Sequence, residues 1–117
     1  MAEIPVLSQL GSFLSLANQR ETVIASNMAN IDTPGYRTKD FDFQHELARA
    51  LASSTNSEPQ VAVHNVKGLL ERPDGNNVDI DQQALELSEA QLQYQMGTQL
   101  MKDRFHQLLT AINSSDQ

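Results

Sequence analysis

The sequence predicts a mainly α-helical protein, with long N- and C-terminal helices whose heptad-like stripes pack as a coiled-coil-like core. Between them it predicts an irregular middle segment with at most short β elements. Three observations carry this. Apolar residues recur at three- and four-residue intervals from Leu7 to Ile31. The same spacing returns from about Asp81 towards the C-terminus. The segment between them is rich in turn formers and small polar residues and poor in apolar periodicity.

In the first element the stripe runs through Leu7, Leu10, Leu14, Ala17, Ile24, Met28 and Ile31, with Glu21 as its exception. Such a seam buries one narrow face of a helix against another helix. Phe13 and Val23 lie beside it and widen it, whereas Ser8, Ser12, Ser15, Asn18 and Gln19 stay outside. The helix is expected to end near Asn30–Asp32, because Pro34 biases Thr33 away from the helical region.

Thr33-Pro34-Gly35-Tyr36 reads as a type II turn, with proline at the second position and glycine supplying the positive φ of the third. Arg37 to Phe43 mixes polar and aromatic residues, and His45 to Ala52 fits a short helix. Ser53 to Pro59 has the composition of a linker, since small polar side chains offer little to bury. Gln60 to Val66 alternates β-branched residues at Val61 and Val63, consistent with one short strand. Arg72-Pro73-Asp74-Gly75-Asn76-Asn77 is a turn cluster, in which Asn76 or Asn77 would tolerate a left-handed backbone.

The last element steps through Leu87, Gln91, Tyr94, Thr98, Met101, Phe105, Leu108 and Ile112. Leu85, Leu92, Met96 and Leu100 add a second stripe, so the apolar face is wider than one coiled-coil seam. Asp79 with Gln82 resembles a capping box, with Asp81 as a competing cap. The polar tail Asn113 to Gln117 is expected to fray. Two terminal helices can pair antiparallel, but the pair alone leaves much of the second helix's broad face for the middle segment or for other chains to cover.

Composition excludes several function classes. A formal net charge of −7 and a pI near 4.7 argue against nucleic-acid binding, which needs clustered cations. With no cysteine, thiolate catalysis and sulfur-ligated zinc are impossible. No apolar run approaches a membrane span, so no direct membrane insertion is expected. His45, His64 and His106 lack the spacing of metal ligands on one helix. The oxygen-rich run Asp74 to Asp81 holds Asp79 and Leu85 where a calcium loop begun at Asp74 needs glycine and glutamate. No phosphate loop, nucleophile elbow or spaced triad is present. An enzyme is not expected, and no catalytic, cofactor or metal residue is assigned.

The remaining signal is a polar, small-residue junction: Asn27-Met28-Ala29-Asn30, then Thr33-Pro34-Gly35-Tyr36. Its amides either cap this chain's own helix or form a junction between packed subunits. This segment resembles the N-terminal signature of bacterial flagellar rod, hook and hook-associated axial proteins. With Asp40-Phe41-Asp42-Phe43, Asp74-Gly75-Asn76-Asn77-Val78-Asp79 and Tyr94-Gln95-Met96-Gly97, the chain resembles the flagellar basal-body rod proteins, closest to the proximal rod subunit. Ala90 departs from the family, which often has asparagine ahead of the helix tyrosine.

The resemblance implies a structural subunit of the proximal rod. It would be exported without a cleaved signal peptide through the flagellar type III apparatus and would polymerise across the periplasm. Its partners would be other rod subunits, the rod-to-membrane-ring junction protein and the export gate. Residues 1–31 and 81–117 would be core helices, joined by residues 32–80, and would become ordered on assembly. The assembly interface would take in Leu7, Leu10, Leu14, Ile24, Met28, Leu87, Tyr94, Met101, Phe105, Leu108 and Ile112. Phe43 and Leu47 match the short pattern of export-gate recognition, although a four-residue apolar spacing is also ordinary helix packing. The rival reading is a cytoplasmic helical-hairpin adaptor or export chaperone of the flagellar system.

Overall fold

The computed structural model describes residues 3–53 and 58–115. Three helices and two very short strands follow one another: α1 (Glu3–Ala29), β1 (Lys39–Asp40), α2 (Phe43–Ala52), β2 (His64–Asn65) and α3 (Ile80–Ser115). The molecule is elongated, 70 × 25 × 17 Å. This is the mainly α architecture the periodicities predict, with two long helices and an irregular middle.

α1 tolerates Pro5 because the first turn of a helix leaves its N–H groups without intrahelical acceptors. It ends at Ala29, just before the expected boundary. There the amide of Asn30 is shared between the carbonyls of Ser26 (3.1 Å) and Asn27 (3.2 Å), and the chain tightens into successive turns. The type II turn forms as predicted: Gly35 has φ +76° and the Tyr36 amide donates to the Thr33 carbonyl at 3.2 Å.

α2 begins two residues earlier than expected, because Asp42 caps it by accepting from the His45 amide at 3.1 Å. The strand expected over Gln60–Val66 shrinks to His64–Asn65, which pairs antiparallel with Lys39–Asp40. Val61 and Val63 lie outside it, so the alternation there does not mark a sheet face. Most of the predicted linker, residues 54–57, lies outside the described residues. On its flanks Ser15 donates to Glu58 (3.1 Å) and Gln19 to the Pro59 carbonyl (2.9 Å), so the chain returns along α1.

α3 starts at Ile80. Asp79 accepts from the amides of Asp81 (3.0 Å) and Gln82 (3.3 Å), which makes it the cap and rules out Asp81. Gln82 Oε1 does not return a bond to the Asp79 amide, and Gln82 Nε2 donates to Glu86 at 3.1 Å. The helix continues to Ser115, further into the polar tail than fraying predicts, and residues 116 and 117 lie outside the described residues. No helix among the described residues is long and apolar enough to cross a membrane.

α1 and α3 pair antiparallel, setting Asn27 against Gln83, Arg20 against Glu89 (3.4 Å) and Leu14 against Gly97. The innermost line of α3 is Gln83, Ala90 and Gly97, at heptad spacing. The stripe read from sequence is therefore rotated. Leu87, Met101 and Leu108 are half-buried towards α1, whereas Tyr94, Phe105 and Ile112 are exposed. The large apolar residues flank the contact, and small ones occupy it because they let the helices approach.

Gly97 marks the closest approach. A Cβ there would lie 2.8 Å from Leu14 Cδ2 and 2.9 Å from Phe13 Cδ1. Replacing it with leucine forces the helices apart, at a cost of about 1–3 kcal/mol for overpacking. Thermal denaturation should show Gly97→Leu melting several degrees below the unsubstituted protein. Gly97→Ala should lower Tm less, because a single methyl asks only for small shifts of the Leu14 tip and the Phe13 ring.

Candidate functional site

Asn27 is fully buried in the last turn of α1. A buried amide without partners costs on the order of 1–3 kcal/mol for each polar group, so its bonds dictate what surrounds it. Its Nδ2 donates to the Lys39 carbonyl (2.8 Å) and to Gln83 Oε1 (2.9 Å). Its Oδ1 accepts from the Tyr36 hydroxyl (3.0 Å) and the Lys39 amide (3.0 Å). One side chain thus ties the end of α1 to β1, to the residue closing the type II turn and to the start of α3.

A second buried amide completes the junction. Asn76 Nδ2 donates to the carbonyls of Asn30 (2.9 Å) and Thr33 (2.8 Å), and its Oδ1 accepts from the Val78 amide at 2.8 Å. Asn77 Oδ1 accepts from the Thr38 amide (2.7 Å), while Thr38 Oγ1 donates to the Asn77 carbonyl (3.2 Å). Arg72 donates to the carbonyls of Val78 (2.8 Å) and Ile31. Asn30 stays near the surface, donating to the Ser26 carbonyl (2.8 Å) and accepting from Thr33 Oγ1 (3.0 Å).

Two glycine turns lie back to back within this cluster. The Gly35 amide donates to the Asp74 carbonyl at 2.9 Å, and a Cβ on Gly75 would come 3.3 Å from Gly35 Cα. Gly75 takes the left-handed conformation, φ +87°, so neither Asn76 nor Asn77 adopts the backbone expected of one of them. The asparagines serve through their side chains instead. The carboxylates once weighed as calcium ligands act locally: Asp74 accepts from the Asn76 amide (3.0 Å) and Asp79 caps α3.

The structure therefore brings Asn27, Asn30, Thr33, Pro34, Gly35 and Tyr36 together with Asp74, Gly75, Asn76, Asn77 and Val78 in one intrachain junction. Tyr94 stands apart, exposed on α3. Sequence reading missed Gln83, Thr38 and Arg72. Gln83 carried a signal, since a polar residue in register with Ala90 and Gly97 needs a buried partner.

Away from the junction α3 exposes two apolar flanks. Leu85, Leu92, Met96 and Leu100 on one flank of α3, and Tyr94, Phe105, Leu109 and Ile112 on the other, are each more than two-fifths exposed. Leu7, Leu10, Leu14 and Met28 are half-buried on α1, and Ile24 is buried. Phe43 packs edge-on against Phe13, ring centroids 5.6 Å apart, and Leu47 is half-buried one turn further along α2.

Residues 11–37 match the family described as flagella basal body rod protein. Over most of its length the chain is similar to the flagellar basal body rod protein FlgB of Bacillus subtilis, with 32% identity covering 91% of this chain and 92% of the relative. FlgB of Cereibacter sphaeroides is 35% identical, covering 85% and 87%. FlgB of Escherichia coli is 29% identical, covering 88% and 89%.

Removing the Asn76 side chain leaves the buried Val78 amide unpaired, while the Asn30 and Thr33 carbonyls lose a second donor but keep the Thr33 and Tyr36 amides. Asn76→Ala should lower unfolding free energy by about 1–3 kcal/mol. The exposed Asn18→Ala should change it by less than about 0.5 kcal/mol. Urea denaturation of the purified variants measures both.

Proposed function

The chain belongs to the family of FlgB flagellar basal body rod proteins, and from that membership we propose that its α1–α3 hairpin is the unit that polymerises in the rod. The protein is a structural subunit of the bacterial flagellar basal body, serves motility, associates with other rod components and is not an enzyme. Family membership sets aside the adaptor and export-chaperone reading.

The observation that carries the polymerisation reading is the apolar surface of α3. Nine large apolar residues of α3 stand at 42–58% exposure, more than a free-standing hairpin of this size has reason to display. In a polymer they become interior. On this reading Leu7, Leu10, Leu14, Ile24 and Met28 of α1, with Leu87, Met101 and Leu108 of α3, hold the hairpin. Tyr94, Phe105 and Ile112 meet neighbouring subunits, and interlocked helices transmit torque. Residues 1–31 and 81–117 are then the core helices and 32–80 the connecting region. The same reading places the subunit in the periplasmic part of the rod, against the rod-to-membrane-ring junction protein, after export without a cleaved signal peptide.

The seam positions separate by experiment. Leu14 packs where Gly97 approaches, so Leu14→Asp should destabilise the hairpin itself. Phe105 is half-exposed, so Phe105→Asp should leave helicity unchanged by circular dichroism yet abolish rod assembly. Mass spectrometry of detergent-extracted basal bodies should find the unsubstituted chain and not the Phe105→Asp chain. Normal rods containing Phe105→Asp would refute the interface.

Phe43 and Leu47 are proposed as the export-gate contact. Their half-burial against α1 would make them available only before the hairpin closes. Replacing both with alanine should reduce secreted protein at unchanged cytoplasmic levels, as an immunoblot of the two fractions would report.

A further inference from the structure

α2 packs on α1, and no Cα of α2 comes within 8 Å of one in α3, so a groove runs between them. It encloses about 200 Å³ and is lined by Val6, Leu10, Phe13, Leu47, Leu51 and Leu100. A neighbouring recess continues it past Phe43 to Gln93. The rim on α3 is the apolar flank of Leu92 and Met96.

The same chain carries a segment suited to this groove. The register that sets Leu14 against Gly97 brings the first turn of α1 level with about Gln107, so the last turns of α3 extend beyond α1. Phe105 and Leu109, one turn apart on this end, are 51% and 56% exposed. Paired apolar anchors at that spacing are what a helix presents to a groove. They cannot fill the groove of their own chain. At about 100° per residue they project roughly 140° and 180° away from Leu100, on the far side of a continuous helix.

Charge points to a second copy as the occupant. The first half of α3 and its cap carry Asp79, Asp81, Glu86 and Glu89, with no Lys or Arg from residue 79 to residue 97. The only cations of α3, Lys102 and Arg104, flank Asp103 beside the Phe105–Leu109 pair and leave this end with a net positive charge of one. Neither forms an ion pair with any described residue. A parallel α3 placed with Phe105 level with Gln93 brings Lys102 level with Ala90, next to Glu89, whose carboxylate also meets Arg20. The offset is about 18 Å along the axis.

We propose that Phe105 and Leu109 of one subunit dock in the α2–α3 groove of a second copy, with Lys102 against the acidic half of its α3. The contact joins two different patches and is therefore heterologous, so it propagates into a ring or open helix and does not close as a two-fold dimer. This inference rests on the rod reading above and assigns its homotypic contact.

The chain has no cysteine, which makes cross-linking specific. Leu51→Cys and Leu109→Cys copies are produced together in a strain lacking the unsubstituted chain, and extracted basal bodies are oxidised. The expected result is a cross-linked species of twice the subunit mass that needs both variants. Leu100→Cys with Leu109→Cys should repeat it from the other wall of the groove. Failure of both pairs, or a Leu109→Cys cross-link to a different rod protein, overturns the docking while the chain's presence in basal bodies keeps the rod role. Absence of the unsubstituted chain from basal bodies of the parent strain overturns both.

Discussion

Everything else in this structure is arranged around the burial of one amide. Asn27 sits at the end of a long helix with no water to satisfy it, so its two donors and two acceptor sites must find protein partners. They find β1, Tyr36 and Gln83, which fixes the exit from α1, the path of the middle segment and the entry to α3 together. Asn76 then ties the second turn to the first. Once α3 starts opposite Asn27, the antiparallel register is set along the whole hairpin. The approach at Gly97 and the extension of the last turns of α3 beyond α1 follow from it.

The junction makes the molecule unequal along its length. The buried apolar side chains, Leu16, Ala17, Ile24, Phe41, Val78 and Ala90, lie between the middle of the hairpin and the junction. Towards the other end the facing residues of α1 are only half-buried and α3 exposes its largest side chains. Burying a leucine or phenylalanine fully is worth roughly 1.5–3 kcal/mol, so this end keeps much of its driving force for association. The middle segment does not cover the broad face of α3, whose large apolar side chains stay exposed.

Local chemistry was legible in the sequence. The type II turn, the short second helix, the Asp79 cap and both long helices follow from rules that operate over a few residues. The rotation of α3 was not legible. Sequence periodicity marks the positions of greatest hydrophobicity, but a tightly packed pair puts its smallest residues at the contact and its largest beside it. Ala90 and Gly97 therefore displaced Tyr94 and Phe105 from the inner line. The asparagines were misread for a related reason. Asn76 and Asn77 looked like residues chosen for backbone freedom, whereas Gly75 supplies that freedom and their side chains are consumed in long-range bonds.

The sequence by itself determined the helices, the turns, the absence of enzyme chemistry and, through the motifs around Asn27 and Asp74, the resemblance to rod proteins. These are properties of neighbouring residues or of composition, and no folding is needed to read them. Tertiary structure alone decided that the two motifs are halves of one junction, because hydrogen-bond partners such as Asn27 and Gln83 are far apart in the chain and share no periodicity. It also decided which apolar residues hold the hairpin and which stay exposed. That choice depends on the rotation of one helix against another, which is set by close packing at Gly97 and not by hydrophobicity.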